Sequence, residues 1–180
     1  MYERLSNICP DINTPKTKVL SISNSQHLVN IIGLANASVL NACYPDYDIL
    51  SLPFQDESFD VVVSDQVLEH IRGDPQVAIN ETKRVLKKGG IAVHTTCFMN
   101  PIHEHPLDMW RFTPSSLQYL CQDWSRVIDC GGWGNRIAFA LMILGLRMMP
   151  IPHAKWHPMH IIATKNELDF PIVTWISVMR

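Results

Sequence analysis

The sequence predicts an open α/β sandwich, in which a mostly parallel sheet carries helices on both of its faces. Two apolar runs, Asp60 to Ser64 and Ile91 to Phe98, are continuous enough to be strands that are buried on both faces. Between them, Pro75 to Lys88 carries apolar residues at helical spacing. Strand, helix and strand in this order form a βαβ unit, which makes the two strands parallel and places the helix on one face of the sheet.

The remaining elements are predicted from the same kinds of pattern, apolar runs for strands and helical spacing for helices. Strands are predicted at Lys18 to Ser23, Ser38 to Tyr44, Ser125 to Cys130 and Pro171 to Met179, and helices around Leu28 to Ala35, at Pro114 to Gln122 and at 136–149. Asp74 is predicted to cap the helix at Pro75, and Gly89-Gly90 to end it. We expect one domain, residues 1–180, with an N-terminal arm at 1–17 and an insertion at 132–170. The apolar helix of that insertion is expected to be buried.

Composition and charge narrow the classes of function. With 180 residues, 47% of them apolar and 18% charged, the chain has an ordinary globular composition. A net charge of −2 disfavours a nucleic-acid partner bound through a general basic surface. No apolar stretch reaches the ~18–20 residues of a bilayer span, and the first residues lack the apolar segment of a secretory signal. The five cysteines include no Cys-x-x-Cys pair, so we expect free thiols and a cytoplasmic location.

The loop after the first predicted strand argues against two large classes of nucleotide-binding enzyme. Ser21 to Gln26 contains no glycine, whereas a dinucleotide fold needs glycines there so that the backbone can approach the pyrophosphate, and no P-loop occurs in the chain. The ligand of an open parallel sheet binds beyond the carboxyl ends of its strands. From Asn41 to His70, around those ends, there are seven acids and no Lys or Arg. This charge favours a cationic ligand with sugar and adenine groups over a phosphate-rich one.

Five short motifs occur in the order and spacing of a known enzyme family. The run DILSLPFQDESFDVVVSDQVLEH, from Asp48 to His70, and ETKRVLKKGG, from Glu81 to Gly90, resemble class I S-adenosylmethionine-dependent methyltransferases of the small-molecule, type 11-like branch. The resemblance extends over residues 18–131. It implies a three-layer α/β/α Rossmann-like methyltransferase fold with an antiparallel last strand, trimmed by one strand because the interval between the second strand and Asp48 is too short for the family's extra helix and strand. It also implies S-adenosylmethionine as the cofactor and S-adenosylhomocysteine as its product.

The resemblance implies roles for individual residues. Asp48 lies where the family's carboxylate accepts from the adenine amine, with Ile49 against the ring. Asp65 lies where the methionine moiety and the transferred methyl group are contacted, and Asn41 and Asp46 compete for the ribose hydroxyls. The complete set of expected cofactor-binding residues is Ser21, Ser23, Asn24, Asn41, Asp46, Asp48, Ile49, Leu50, Asp65, Gln66 and Val67.

The first loop departs from the glycine-rich pattern of the family. Its glycine and acidic positions hold Ser21, Ser23 and Ser25 in this chain. Serine can still donate hydrogen bonds to the carboxylate of an amino acid. A positive φ, however, costs about 1 kcal/mol or more in a residue other than glycine. We therefore expect the loop to change the affinity for the cofactor and to leave the fold intact.

The segment HEHPLDMWRFTP, from His103 to Pro114, resembles a region of methyltransferases associated with sugar, polysaccharide or lipid-linked substrates. His103 is a candidate general base because the reference pKa of histidine, about 6.5, suits neutral pH, and Asp65 is the second candidate catalytic residue. The expected substrate-binding residues are His103, His105, Asp108, Arg111 and Trp133. The residue types of His103, His105 and Asp108 also fit a metal site, although the favoured interpretation assigns no metal.

Three functions stay open at this point. The first is an S-adenosylmethionine-dependent methyltransferase that acts on a small-molecule or sugar-type acceptor, as a monomer or a homodimer. The second is a methyltransferase-like domain that no longer catalyses and serves as a partner or scaffold, which the glycine-free loop favours. The third is a metal-dependent enzyme built on His103, His105 and Asp108.

Overall fold

The secondary structure alternates between strands and helices along the chain. In the computed structural model, the described residues are 1–6, 8–103, 107–146 and 154–180. The strands are β1 (Lys18–Ile22), β2 (Ser38–Ala42), β3 (Phe59–Asp65), β4 (Leu86–Cys97), β5 (Arg126–Trp133) and β6 (Val173–Met179). The helices are α1 (Tyr2–Leu5), α2 (Gln26–Ile31), α3 (Pro75–Val85), α4 (Pro114–Leu120), α5 (Arg136–Ile143) and α6 (Pro158–Thr164), with 3-10 turns at Pro10–Ile12 and Leu68–His70.

The six strands form one mixed sheet in the order β2-β1-β3-β4-β6-β5. The pairs β1–β2, β1–β3 and β3–β4 are parallel, and the last strand, β6, is antiparallel to both β4 and β5. This confirms the predicted three-layer fold with a mostly parallel sheet and an antiparallel last strand. The chain between β2 and β3 adds no strand to this sheet, so β2 is an edge strand. The carboxyl ends of β1, β2, β3 and β4 therefore lie along one edge.

Each face of the sheet is covered by its own hydrophobic cluster. On one face, α3 and α4 pack through Ala78, Ile79 and Leu117 onto the strands. On the other face, α1 and α2 pack through Leu5 and Leu28, together with apolar side chains of β1, β3 and β4. Burial on both faces accounts for the continuous apolar runs of the central strands, since neither face of these strands contacts water.

The helix that begins at Pro75 is shorter than predicted. The Asp74 side chain accepts a hydrogen bond from Gln76 N at 2.8 Å, as a capping residue should. The helix ends at Val85, and the prediction that it continues to Lys88 and stops at Gly89-Gly90 is wrong. Leu86 is extended, is fully buried and pairs with Phe59, so β4 already begins there. Strand pairing thus overrides the local helical preference of the basic residues after Val85.

The apolar helix of the insertion is exposed, contrary to the expectation that it is buried. Over its described residues, α5 has no buried side chain, and Ile143 and Leu144 are 63% and 70% exposed. The reason is its position: α5 contacts α6, and among the described residues neither helix makes an extensive contact with a strand of the sheet. Positions 147–149 of the predicted helix lie outside the described residues. No helix in the described ranges is both long and apolar enough to cross a bilayer.

A chain of polar side chains crosses the buried middle of the sheet. His94 on β4 is fully buried, and its Nδ1 lies 2.7 Å from Ser64 Oγ on the neighbouring β3. Its Nε2 lies 3.5 Å from Thr82 Oγ1 on α3. Burial lowers the pKa of His94 to about 4, so the imidazole is neutral at physiological pH. His94 is therefore a hydrogen-bonded histidine of the core.

Candidate functional site

A cavity of about 510 Å³ opens at the carboxyl ends of β1, β2 and β3. This is the edge at which open parallel sheets bind their ligands, and the volume is typical of a site for a small molecule or cofactor. Its walls combine apolar and aromatic side chains with Asp48, Gln66, His70 and Arg72. The lining residues are Ile22, Ser23, Tyr44, Tyr47, Asp48, Ile49, Gln66, Val67, His70, Ile71, Arg72 and Leu107.

Asp48 forms a tight turn at one wall of the cavity. Its Oδ1 accepts a hydrogen bond from Leu50 N at 2.9 Å, and its carbonyl accepts from Ser51 N at 3.0 Å. Ile49 between them is buried in the cluster beneath α3, which fixes the backbone of the turn. One carboxylate oxygen, Oδ2, has no role in these bonds, so Asp48 can still accept from a ligand.

An ion pair on α3 holds the segment that follows this turn. Glu81 Oε2 accepts from Leu52 N at 2.9 Å, and Arg84 donates to the carbonyls of Leu52 and Phe54 at 2.9 and 2.8 Å. Arg84 also pairs with both carboxylate oxygens of Glu81, at 2.8 and 2.9 Å, and with Asp56 at 2.7 Å. The Arg84 hydrogen bonds lower the pKa of Glu81, so its carboxylate stays charged and able to accept. The Leu-Pro-Phe and Glu-Thr-Lys-Arg motifs are therefore in direct contact.

The glycine-free first loop nevertheless takes the backbone path of a glycine loop. Ser23 and Asn24 have φ values of 52° and 59°, in the left-handed region that favours glycine. Ser25 holds the loop, because its hydroxyl donates to Ile22 O at 2.5 Å and accepts from Asp65 N at 2.8 Å. Ser21 is fully buried away from the cavity, and Ser23 lines the cavity wall without filling it. The serines therefore leave the cavity open.

Ser23 is exposed, and its backbone is in the left-handed region. A β-branched residue at this position should therefore destabilise the fold through backbone strain alone. We expect Ser23→Val to lower the free energy of unfolding by roughly 2 kcal/mol, measured by urea denaturation. Ser23→Gly is the matched control and should be close to neutral, since relief of strain offsets the greater entropy of the unfolded chain. Equal stability of the valine and glycine variants would contradict the assigned backbone strain.

Asp65, a predicted catalytic and cofactor-binding residue, lies beside the cavity lining and is held by two hydroxyls. Tyr2 Oη donates to it at 3.1 Å from α1, and the Thr95 hydroxyl on β4 donates to it as well. Burial, followed by the charge of Asp65, raises the pKa of Tyr2 to about 12. Gln66, the next residue, lines the cavity with a φ of 56° and donates its backbone N–H to Thr95 O at 3.1 Å.

An ion pair between Asp108 and Arg111 stabilises the segment between β4 and α4. The Asp108 side chain is fully buried; Arg111 Nη2 donates to its Oδ2 at 2.7 Å, and His103 N donates to the same oxygen at 2.8 Å. The Arg111 hydrogen bond is the main reason that the pKa of Asp108 lies far below its usual value. Arg111 also reaches Asn100 O at 3.2 Å. Asp108 and Arg111, predicted to bind substrate, therefore satisfy one another and shape this segment.

Next to the cavity, Glu69, His70 and His103 come together. A carboxylate oxygen of Glu69 and one ring nitrogen of each histidine lie within 4.8 Å of one another. The two rings meet edge to face, with 5.1 Å between centroids. Glu69 is fully buried, and this burial raises its pKa, although the Thr96 hydrogen bond and the nearby histidines act in the opposite direction. His70 also lines the cavity, so the cluster borders it.

Comparison with known proteins agrees with this architecture. The methyltransferase domain family matches residues 10–94, which include β1, β2, β3, α3 and the Asp48 turn. Over these residues, somewhat less than half of the chain, the protein is similar to that family. A solved structure from Listeria monocytogenes, described as an S-adenosylmethionine-dependent methyltransferase, covers 99% of this chain and 97% of its own length, with a TM-score of 0.59 and 14% identity. At this level of identity the likeness shows the fold alone, over nearly the whole length of the chain.

The curated relatives match only part of the chain. An uncharacterized methyltransferase of Schizosaccharomyces pombe is 34% identical over an alignment of 84 positions, which covers 42% of this chain and 30% of the relative. The chloroplastic 2-methyl-6-phytyl-1,4-hydroquinone methyltransferase 1 of Oryza sativa subsp. japonica is 35% identical over 79 residues, 41% of this chain and 22% of the relative. The chain thus spans less than a third of the length of these relatives.

The structure places some of the residues that were predicted to bind the cofactor around one cavity. Five of the predicted residues line the cavity: Ser23, Asp48, Ile49, Gln66 and Val67. The other six, Ser21, Asn24, Asn41, Asp46, Leu50 and Asp65, are not among the lining residues. Of the predicted substrate residues, His103 lies beside the cavity, His105 lies outside the described residues, and Trp133 packs against the core cluster on the α1–α2 face.

Several residues that line the cavity were missed by the sequence analysis. Tyr44 and Tyr47 follow the carboxyl end of β2, a position that could have indicated them. Arg72 lies two residues beyond the acidic stretch and adds a positive charge to a rim that was expected to have none. Leu107 comes from the segment after β4, and no local pattern indicates its position. The cavity is therefore mixed in charge, with Asp48 and Arg72 both in its lining.

Proposed function

We propose that this protein is an S-adenosylmethionine-dependent methyltransferase that acts on a small-molecule or sugar-type acceptor. The observation that carries the proposal is the open cavity at the carboxyl ends of the parallel strands, with the carboxylate of Asp48 in its wall. S-adenosylmethionine, when bound, supplies a methyl group that its sulfonium already makes electrophilic. The protein then has to hold donor and acceptor in line, which is a task of positioning.

The residues of the cavity fit the donor in chemical type. We assign Asp48 Oδ2 to the exocyclic amine of the adenine, and the buried side chain of Ile49 to the face of the ring. The left-handed loop at Ser23 leaves room for the amino-acid end, as glycines do in related loops. Arg72 is suited to pair with a carboxylate, of the donor or of the acceptor.

The acceptor is assigned to the side of the cavity next to His103. When His103 Nδ1 carries the ring proton, it donates to Pro101 O at 3.1 Å, with Asp108 Oδ2 3.2 Å away. These partners orient the ring and leave Nε2 as the basic nitrogen. His103 is therefore proposed to accept the proton of an acceptor hydroxyl or amine as the methyl group arrives. Five free cysteines, three of them buried, support a reducing compartment such as the cytoplasm.

The donor assignment predicts a selective effect at Asp48. We expect the chain to bind S-adenosylhomocysteine in isothermal titration calorimetry and Asp48→Ala to weaken that binding by ten- to a hundredfold, because a charged acceptor contributes about 1.5–3 kcal/mol. Asp123→Ala removes an exposed carboxylate outside the lining and should change affinity less than twofold. The absence of binding at millimolar ligand would overturn the proposal and favour a non-catalytic partner or scaffold.

A further inference from the structure

The cluster of Glu69, His70 and His103 has more coordinating capacity than a general base requires. Three potential ligand atoms, one from each side chain, lie within 4.8 Å of one another. In a tetrahedral metal centre each ligand atom lies about 2.0–2.2 Å from the ion, so two ligand atoms are about 3.3–3.6 Å apart. Side-chain adjustments of about 1 Å would bring the three atoms to this spacing.

Glu69 provides an independent observation that a ligand is missing. Its side chain is fully buried, and its Oε1 has no hydrogen-bond partner among the residues that the structure describes. Its other oxygen, Oε2, accepts from the Thr96 hydroxyl at 2.9 Å, which fixes the carboxylate. A buried carboxylate oxygen without a partner is costly, because it has lost its water and gained nothing in return. A bound cation would remove that cost.

Each of the two histidines has a carbonyl partner of the kind that metal-binding histidines have. Nδ1 of His70 contacts the carbonyl of Leu107, and Nδ1 of His103 contacts the carbonyl of Pro101. In known metal sites the ring nitrogen that does not bind the metal usually donates to a carbonyl or a carboxylate, which sets the tautomer. The same bonds leave Nε2 of both rings as the nitrogen that can coordinate.

We propose that Glu69, His70 and His103 bind one first-row divalent cation, of the chemistry of Zn²⁺, beside the donor cavity. Two imidazoles and one carboxylate are ligands typical of such ions, and three protein ligands leave at least one open position. This set differs from the alternative of His103, His105 and Asp108 that the sequence left open, because Asp108 already pairs with Arg111.

The position of the site suggests what the open coordination position takes, an extension that rests on the proposed function. An acceptor hydroxyl that binds there has a lowered pKa, because a divalent cation stabilises the deprotonated oxygen. The S–CH₃ bond then breaks as the O–CH₃ bond forms, and the hydroxyl proton leaves to solvent. In the loaded protein, His103 acts as a ligand and the cation takes over the activation of the hydroxyl.

Zinc binding to the full chain, after treatment with a chelator, tests the site without any activity assay. We expect calorimetry to give one Zn²⁺ per chain and His103→Ala to weaken this binding more than tenfold, as should Glu69→Gln. His160→Ala is the matched control, because it removes a histidine of α6 and should leave the affinity unchanged. His103 is partly exposed, so its alanine variant is expected to fold, and thermal melting checks this.

A second readout separates this inference from the proposed function. Co²⁺ in place of Zn²⁺ should give a visible absorption spectrum in wild type that His103→Ala abolishes. Binding of S-adenosylhomocysteine is measured on the same preparations. The metal site is wrong, and the methyltransferase proposal stands, if S-adenosylhomocysteine binds while Zn²⁺ does not. The same conclusion holds if S-adenosylhomocysteine binds and Zn²⁺ binds to His103→Ala as well as to wild type. If Zn²⁺ binds as expected and the product does not bind, the proposed function fails and the metal site stands.

Discussion

Replacing Arg84 with methionine is expected to lower the free energy of unfolding by about 3 kcal/mol. The guanidinium satisfies the Glu81 carboxylate through two hydrogen bonds and two backbone carbonyls, those of Leu52 and Phe54. Methionine fills a similar volume and donates none of these bonds, so Glu81 and the carbonyls lose their partner. Urea denaturation at pH 7 measures the change.

The same substitution should also weaken donor binding, because Glu81 and Arg84 hold the segment that follows Asp48. We expect S-adenosylhomocysteine affinity to fall about tenfold in Arg84→Met, although Arg84 is not among the residues that line the cavity. Lys88→Met is the control, since Lys88 is a basic residue exposed on β4, and it should alter neither quantity. If Arg84→Met were as stable as wild type, or bound S-adenosylhomocysteine equally well, the role of Arg84 in holding the segment after Asp48 would be contradicted.

This contact explains why the sequence predicted the fold and the Asp48 turn well. The Leu-Pro-Phe motif and the Glu-Thr-Lys-Arg motif are distant in the chain, but each can be recognised by itself. Burial of the central strands on both faces makes their apolar runs visible, and Asp74 and Pro75 mark the start of α3. These signals are local, so a single sequence is enough to detect them.

The cluster near the cavity could not be predicted in the same way. His103 meets His70 only because the segment after β4 returns over the sheet edge, held by the Asp108–Arg111 pair and by Glu69 O, which accepts from Met109 N at 2.8 Å. Those contacts are tertiary and leave no periodic pattern in the sequence. The exposure of α5 was missed for a similar reason, since its apolar composition does not reveal that it packs beside α6 instead of the sheet.

Acid should destabilise this protein through the buried side chain of His94. His94 is fully buried, and burial lowers its pKa from 6.5 to about 4. Between these two pH values the unfolded chain binds a proton at His94 that the folded chain does not bind. The free energy of unfolding therefore decreases as the pH falls below about 6.5, by up to ~1.4 kcal/mol per pH unit and by about 3 kcal/mol in total near pH 4.

Other groups titrate in this range, so the prediction is a difference between variants. The raised pKa of Glu69 acts in the opposite direction, because the folded state then holds a proton above pH 4.5 that the unfolded state has lost.

His94→Gln keeps a polar side chain beside Ser64 and cannot titrate, so it should remove the His94 part of the slope between pH 6.5 and 4.5, whatever its stability at pH 7.5. His27→Gln, at an exposed position on α2, should retain the wild-type slope. Urea denaturation of all three proteins across this range measures the slopes. Equal slopes for wild type and His94→Gln would mean that the buried imidazole gains its proton as readily in the folded state as in the unfolded one.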